Sequence, residues 1–262
     1  VRSWQDCEDP YSEAEWRQSR LDELHELDAR AGSEALRMHL AKELYHCHFE
    51  MLERSRFGAA RGHLDELREL VARHVEETSP SRIVKTQWLW FARALVDAME
   101  HQTQLPRAEA CISLLAELLL ARRRASDAEG MDEAWCAGLE HAGAVCLAEG
   151  DVAASDLVAA MRADADRTSP TQTLRLARML QRAHEAAIRR GDAIGAAGYL
   201  AELRGLAELT IAEGYARAAL TEALALAHSL GSSGQRPALL AELRRWASRH
   251  DATQEQREHY WR

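Results

Sequence analysis

His39, Glu43, His46 and Glu50 stand at i, i+4, i+7 and i+11. On a helix of about 3.6 residues per turn they fall along one edge. Imidazole and carboxylate groups at that spacing can ligate zinc or iron. Glu43-x-x-His46 also matches one half of the motif that di-iron helical bundles use, but the chain contains no second Glu-x-x-His. The same residues form the i,i+4 pairs of an ordinary solvated helix edge. His39, Glu43 and His46 are therefore a candidate metal set, set against the expectation that no metal or other cofactor is resident.

Other patterns that could carry chemistry are incomplete. His184-Glu185 could act as an acid/base pair, but no nucleophile is placed beside it by spacing. The run Asp22-Glu23-Leu24-His25-Glu26-Leu27-Asp28 is acid-rich without the paired Asp motifs that hold magnesium in helical prenyl-transfer enzymes, and it suits a solvated helix surface. There is no His-Glu-x-x-His, no Gly-x-Ser-x-Gly and no phosphate-binding glycine loop. These absences leave no positive case for an enzyme.

A net charge of -9 argues against a nucleic-acid footprint. The densest basic cluster, Arg122-Arg123-Arg124, ends a helical run, where arginines complement the helix dipole. No apolar run reaches the roughly 20 residues of a membrane span, and no apolar signal region follows Val1-Arg2-Ser3-Trp4. A first residue other than Met fits a chain cut from a longer one. The five cysteines (Cys7, Cys47, Cys111, Cys136, Cys146) are odd in number and scattered, which fits reduced thiols in the cytoplasm. Two lysines against 31 arginines, with no asparagine, point to a G/C-rich bacterial genome.

The elements that must position any site are helices. Ala, Leu, Glu and Arg dominate, and four of the five prolines stand between helical runs. There is no alternating strand pattern, so the expected fold class is all-α. Thr78-Ser79-Pro80 and Thr168-Ser169-Pro170, 90 residues apart, each precede a long helical run. A second kind of mark is a turn near a glycine: Arg56-Phe57-Gly58-Ala59-Ala60, Glu149-Gly150-Asp151, and Arg190-Gly191-Asp192. Leu105-Pro106 fills the same place in a further unit.

Aligned on these turns, five helices show one stripe. Its members are Leu44, Cys47, His48 and Met51; Trp88, Phe91, Ala92 and Leu95; Leu139, Ala142, Gly143 and Cys146; Leu180, Ala183, His184 and Ala187; and Leu220, Ala223, Leu224 and Ala227. Following helices show Ala60, Leu64 and Leu67, then Ala196, Leu200 and Leu203. Such stripes pack on a paired helix and on the next pair, so the pairs must stack. The pattern, over about residues 34 to 250, resembles the tetratricopeptide repeat. Its first helices start 44, 51, 41 and 40 residues apart, against the family's usual 34, as in longer, divergent repeats of bacterial regulators and scaffold proteins. The resemblance implies a right-handed α-α superhelix of about five helix pairs over 33–250. A segment with a capping helix would occupy 1–32, its helix over 12–30 opened by a Ser12/Glu15 capping box. Residues 251–262, with Tyr260-Trp261, would form a tail or short helix. Gly231-Ser232-Ser233-Gly234 is the one flexible-looking connector.

In that family the first helices line a concave groove. Carried over, the resemblance places Tyr45, Phe49, Leu89, Arg93, Glu140, Arg178, Gln181 and Glu185 on it. An aromatic and apolar first third with scattered arginines implies a peptide or helix with apolar anchors as the ligand. The implied function is a protein-interaction module of a bacterial regulatory or scaffold protein. The alternatives are an effector-sensing domain of a regulator and a helical enzyme or metal protein. Partners would be proteins or peptides, with no direct nucleic-acid or membrane contact. Apolar stripes on the end repeats would also permit homo-oligomers.

Overall fold

A computed structural model of the chain describes residues 10–77, 79–102, 107–209, 213–230 and 235–248, with side chains for 16–77, 79–101, 107–209, 219–229 and 235–246. The expected turn at 105–106, the 231–234 connector, the 251–262 tail, Cys7, and the side chains of Ser12 and Glu15 lie outside these residues. The described part is all-helical, with eleven helices and no strand: α1 (Pro10–Ala31), α2 (Glu34–Glu53), α3 (Phe57–Ala72), α4 (Arg82–Gln102), α5 (Ala108–Arg124), α6 (Met131–Glu149), α7 (Ala154–Asp164), α8 (Pro170–Arg189), α9 (Ala193–Ala207), α10 (Glu213–Leu230) and α11 (Arg236–Ser248). The chain divides into two compact units, 1–141 and 142–262, with the division inside α6. No helix among the described residues is long and apolar enough to cross a membrane.

In the first unit α1 packs on α2, α2 on both α3 and α4, and α4 on α5. The predicted stripes supply the core: Leu44, Cys47, Trp88, Phe91, Ala92 and Leu95 are buried, together with Leu64 and Leu67 of α3. Leu21 and Leu24 of α1 are buried too. In the second unit α8 packs on α9 and α10, α10 on α9 and α11, and α7 on α8. Leu180, Ala183, Ala187, Leu220, Ala223 and Leu224 are buried there with Leu200 and Leu203 of α9.

Two stripe positions hold histidine, and the structure shows what their rings reach. The His184 ring Nδ1 donates to the Ala196 carbonyl at 2.9 Å. The His48 Nδ1 lies 2.8 Å from the Ala60 carbonyl, and its Nε2 lies 3.1 Å from that of Ala94 on α4. Each ring thus ties its helix to the first turn of the next helix, α9 for His184 and α3 for His48. Burial holds the His48 ring below its usual pKa, partly opposed by the two carbonyls.

Three arginines join helices that do not pack closely on one another. Arg68 of α3 reaches Glu117 of α5 through two bonds of 2.8 and 3.2 Å. Arg162 of α7 reaches Glu202 of α9 at 2.8 and 2.6 Å. Arg204 of α9 reaches Glu242 of α11 at 2.6 and 2.7 Å. Partly exposed bidentate pairs of this kind contribute about 0.5–1 kcal/mol each.

Helix ends follow the expected chemistry with three corrections. Ser33 and Ser169 cap α2 and α8 through their hydroxyls. Before α4 it is Ser81, not Ser79, whose hydroxyl accepts from Val84 N at 3.2 Å. α1 begins at Pro10, so Ser12 lies inside the helix rather than ahead of it. Gly150 and Gly191 take the left-handed conformation at φ 72° and 73°. After α2 that conformation falls on Ser55, at φ 56°. Gly58 instead lies inside α3.

Two substitutions check this account by urea denaturation. Ser55→Gly relieves a side chain held in the left-handed region and raises stability by about 1 kcal/mol. Gly138→Ala lowers it by about 1–2 kcal/mol although alanine is the better helix former. A Cβ there would run into Leu118 Cδ2 and stand 3.1 Å from Met99 Cε.

Candidate functional site

The polar edge of α2 is held by arginine. Arg17 of α1 lies 3.8 Å from Glu43 and 3.4 Å from Glu50. Glu50 also pairs with Arg54 at 2.6 Å. His39 is exposed, while His46 turns toward α4, its ring 5.8 Å from that of Trp90. Among the described residues no group of three or more His, Cys, Asp or Glu side chains could hold a metal ion. The three candidate ligands are thus dispersed: one in solvent, one against Arg17 and one in an aromatic contact.

That aromatic contact is the centre of a more coherent cluster. The α2 and α4 backbones pack together, and this brings Tyr45 against Trp90 with ring centroids 5.1 Å apart. His46 lies 5.2 Å from Tyr45. The Arg93 guanidinium sits over the Trp90 ring at 4.9 Å, a cation–π arrangement. The Tyr45 hydroxyl donates to Asp97 of α4. Asp97 Oδ2 is buried and has no hydrogen-bond partner. Phe49, one turn beyond Tyr45 on α2, is 43% exposed.

The electrostatics follow from this placement. Burial is the main cause that raises the Asp97 carboxyl to about 7; Glu100 and Glu53 add to it, while the Tyr45 bond and Arg93 oppose it. Burial and then the Asp97 charge push the Tyr45 hydroxyl up to about 12. The His46 ring is lowered, first by burial and then by Arg17, with Glu43 opposing. At neutral pH the cluster thus holds a phenol, a neutral imidazole, a shielded cation and a carboxyl near its midpoint. It can offer stacking surface and one or two hydrogen bonds, but it contains no activated nucleophile.

The other predicted groove positions divide. Leu89 is 8% exposed and Glu140 is 3% exposed, so both belong to the interior rather than to a solvent-facing lining. Leu89 directly follows the stripe residue Trp88, and Glu140 directly follows Leu139, so both lie close to the packed side of their helices. Arg178, Gln181 and Glu185 are on α8 in the second unit. Arg178 is exposed there. Gln181 donates to Glu185 Oε1 at 3.3 Å and to Glu222 Oε2 of α10 at 2.5 Å, so this amide links two helices.

Trp90 and Asp97 were not among the predicted positions. They stand with Arg93 at i, i+3 and i+7, a spacing that marks one stripe of α4. That stripe was the available signal.

The raised Asp97 carboxyl predicts a pH dependence. Between about pH 4 and 7 the unfolded chain releases this proton while the folded chain keeps it, so the group lowers stability as pH rises through that window. Asp97→Asn removes the effect. The variant matches the parent at pH 4 and exceeds it by about 1–3 kcal/mol at pH 8, as read from urea denaturation at the two pH values. The lowered histidines act in the opposite sense, costing stability as pH falls below about 6.5, and they remain in the variant.

Comparison with protein-family models, with curated proteins and with solved structures finds no match to this chain.

Proposed function

We propose that the chain is a tetratricopeptide-like array of five helix pairs behind a capping α1, and that it binds a peptide or helix of a protein partner on the α2–α4 surface around Phe49. The observation that carries the binding reading is the exposed Phe49 ring one turn from the Tyr45–Trp90–Arg93 cluster. An exposed phenylalanine beside fixed aromatic and cationic groups is a ready-made anchor site. The array reading is supported by the alternation of longer and shorter helices and by the contacts of α2 with α3 and α4 and of α8 with α9 and α10. The setting in this reading is a bacterial regulatory or scaffold protein.

A second reading, an effector-sensing domain, has one observation of its own. A cleft of about 1170 Å³ opens between α3 and α5, with Leu52, Leu64 and Leu114 on its walls and the Arg68–Glu117 pair along it. Its breadth suits an open surface better than the enclosure a small ligand needs.

Selection from a displayed library of amphipathic helical peptides tests the first reading. The expected result is enrichment of sequences with aromatic or leucine anchors at i and i+3 or i+4, whose binding weakens about tenfold with Phe49→Ala. No enrichment, or enriched peptides that bind Phe49→Ala equally well, would overturn it.

A further inference from the structure

Four of the shorter helices share the sequence Leu-x-Glu-Leu: Leu64 to Leu67 in α3, Leu115 to Leu118 in α5, Leu200 to Leu203 in α9 and Leu240 to Leu243 in α11. In α3, α5 and α9 both leucines are buried, at no more than 7% exposure. In α11 both are partly exposed. The packing accounts for the difference. α9 is covered by the helix before it, α8, and by the helix after it, α10, whereas α11 packs on α10.

The charged residues repeat in the same register. In α3 and α9 the arginine after the second leucine, Arg68 or Arg204, donates to the motif glutamate of a later helix, Glu117 or Glu242. Arg244 holds that place in α11; it is exposed and meets no carboxylate among the described residues. The face of α11 therefore repeats what α9 would show if α10 and α11 were lifted away: two leucines and an arginine in the same register.

We propose that this face of α11 is an interaction surface for a two-helix unit of a partner protein. The first helix of that unit covers Leu240 and Leu243 with an apolar stripe. Its second helix presents a glutamate to Arg244. The chemistry is that of α10 and α11 on α9, where Leu220, Ala223 and Leu224 are buried and Glu242 meets Arg204. Apolar cover with a matched charge gives both area and register.

The test uses the full chain and a labelled synthetic peptide of residues 213–248 as probe, followed by fluorescence anisotropy. The peptide is expected to bind the intact chain. Arg244→Glu weakens binding at least about tenfold, and a peptide carrying Glu242→Arg restores it to that variant. Arg244→Ala gives an intermediate loss, and Phe49→Ala none, which separates this surface from the one around Phe49. Arg244 is exposed, so both variants are expected to keep the parent's melting curve by circular dichroism. Three results would overturn the proposal: no binding to the intact chain, equal binding to Arg244→Glu, or binding that appears only after residues 249–262 are removed, which would assign the face to the chain's own following segment.

Discussion

Within each unit, everything rests on apolar stripes that a single neighbouring helix cannot cover. Trp88, Phe91, Ala92 and Leu95 all lie in the interior, and α4 reaches that state by packing against α2, α3 and α5 together. Burial of a large side chain contributes about 1.5–3 kcal/mol, so a helix that lost one of its neighbours would lose several such contributions. The polar groups of the first unit are arranged around this demand. Histidine at position 48 is tolerated in a tight stripe because its ring reaches backbone carbonyls of α3 and α4, and the Asp97 carboxyl is tolerated because a phenol reaches it.

How much of this was legible in the sequence depends on the kind of interaction. The helices and their buried stripes follow from a period near 3.6 and from serine, proline and glycine at the ends, so Leu44, Trp88, Leu180 and Leu220 were all readable as core. Two things were not. Left-handed backbone at Ser55 leaves no trace in composition, since serine ordinarily avoids it and a glycine, Gly58, stands three residues on. Side-chain partners on neighbouring helices depend on rotation about the helix axis, where one residue is about 100°. Leu89 and Glu140 show the consequence, because each follows a stripe residue and turns inward. Tyr45 and Arg93 both meet Trp90, and Phe49 stands one turn from Tyr45 on α2, but the members that complete the cluster, Trp90 and Asp97, needed the pairing of the two helices to be known.

The cluster also shows what burial does to an acid. Asp97 is perturbed about as strongly as many functional carboxyls, and the groups that act on it besides burial are Tyr45, Glu100, Arg93 and Glu53. Desolvation is the largest of the causes that move its titration. The result is a surface whose stacking groups are fixed while its charge changes near neutrality. In a binding site, that combination separates shape recognition from charge recognition.

The bridges between α3 and α5, between α7 and α9, and between α9 and α11 have a mechanical meaning. These helices meet through guanidinium–carboxylate pairs, while the longer helices beside them meet through packed leucine, alanine and tryptophan. Packed contacts resist small displacements steeply, whereas a solvent-touched ion pair yields gradually and is weakened by salt. Each unit is accordingly stiff where its longer helices pack and more compliant where the bridged helices meet. Ionic strength acts as an adjustable spring constant on the bridged helices, and the spacing between them can change without disturbing the packed core.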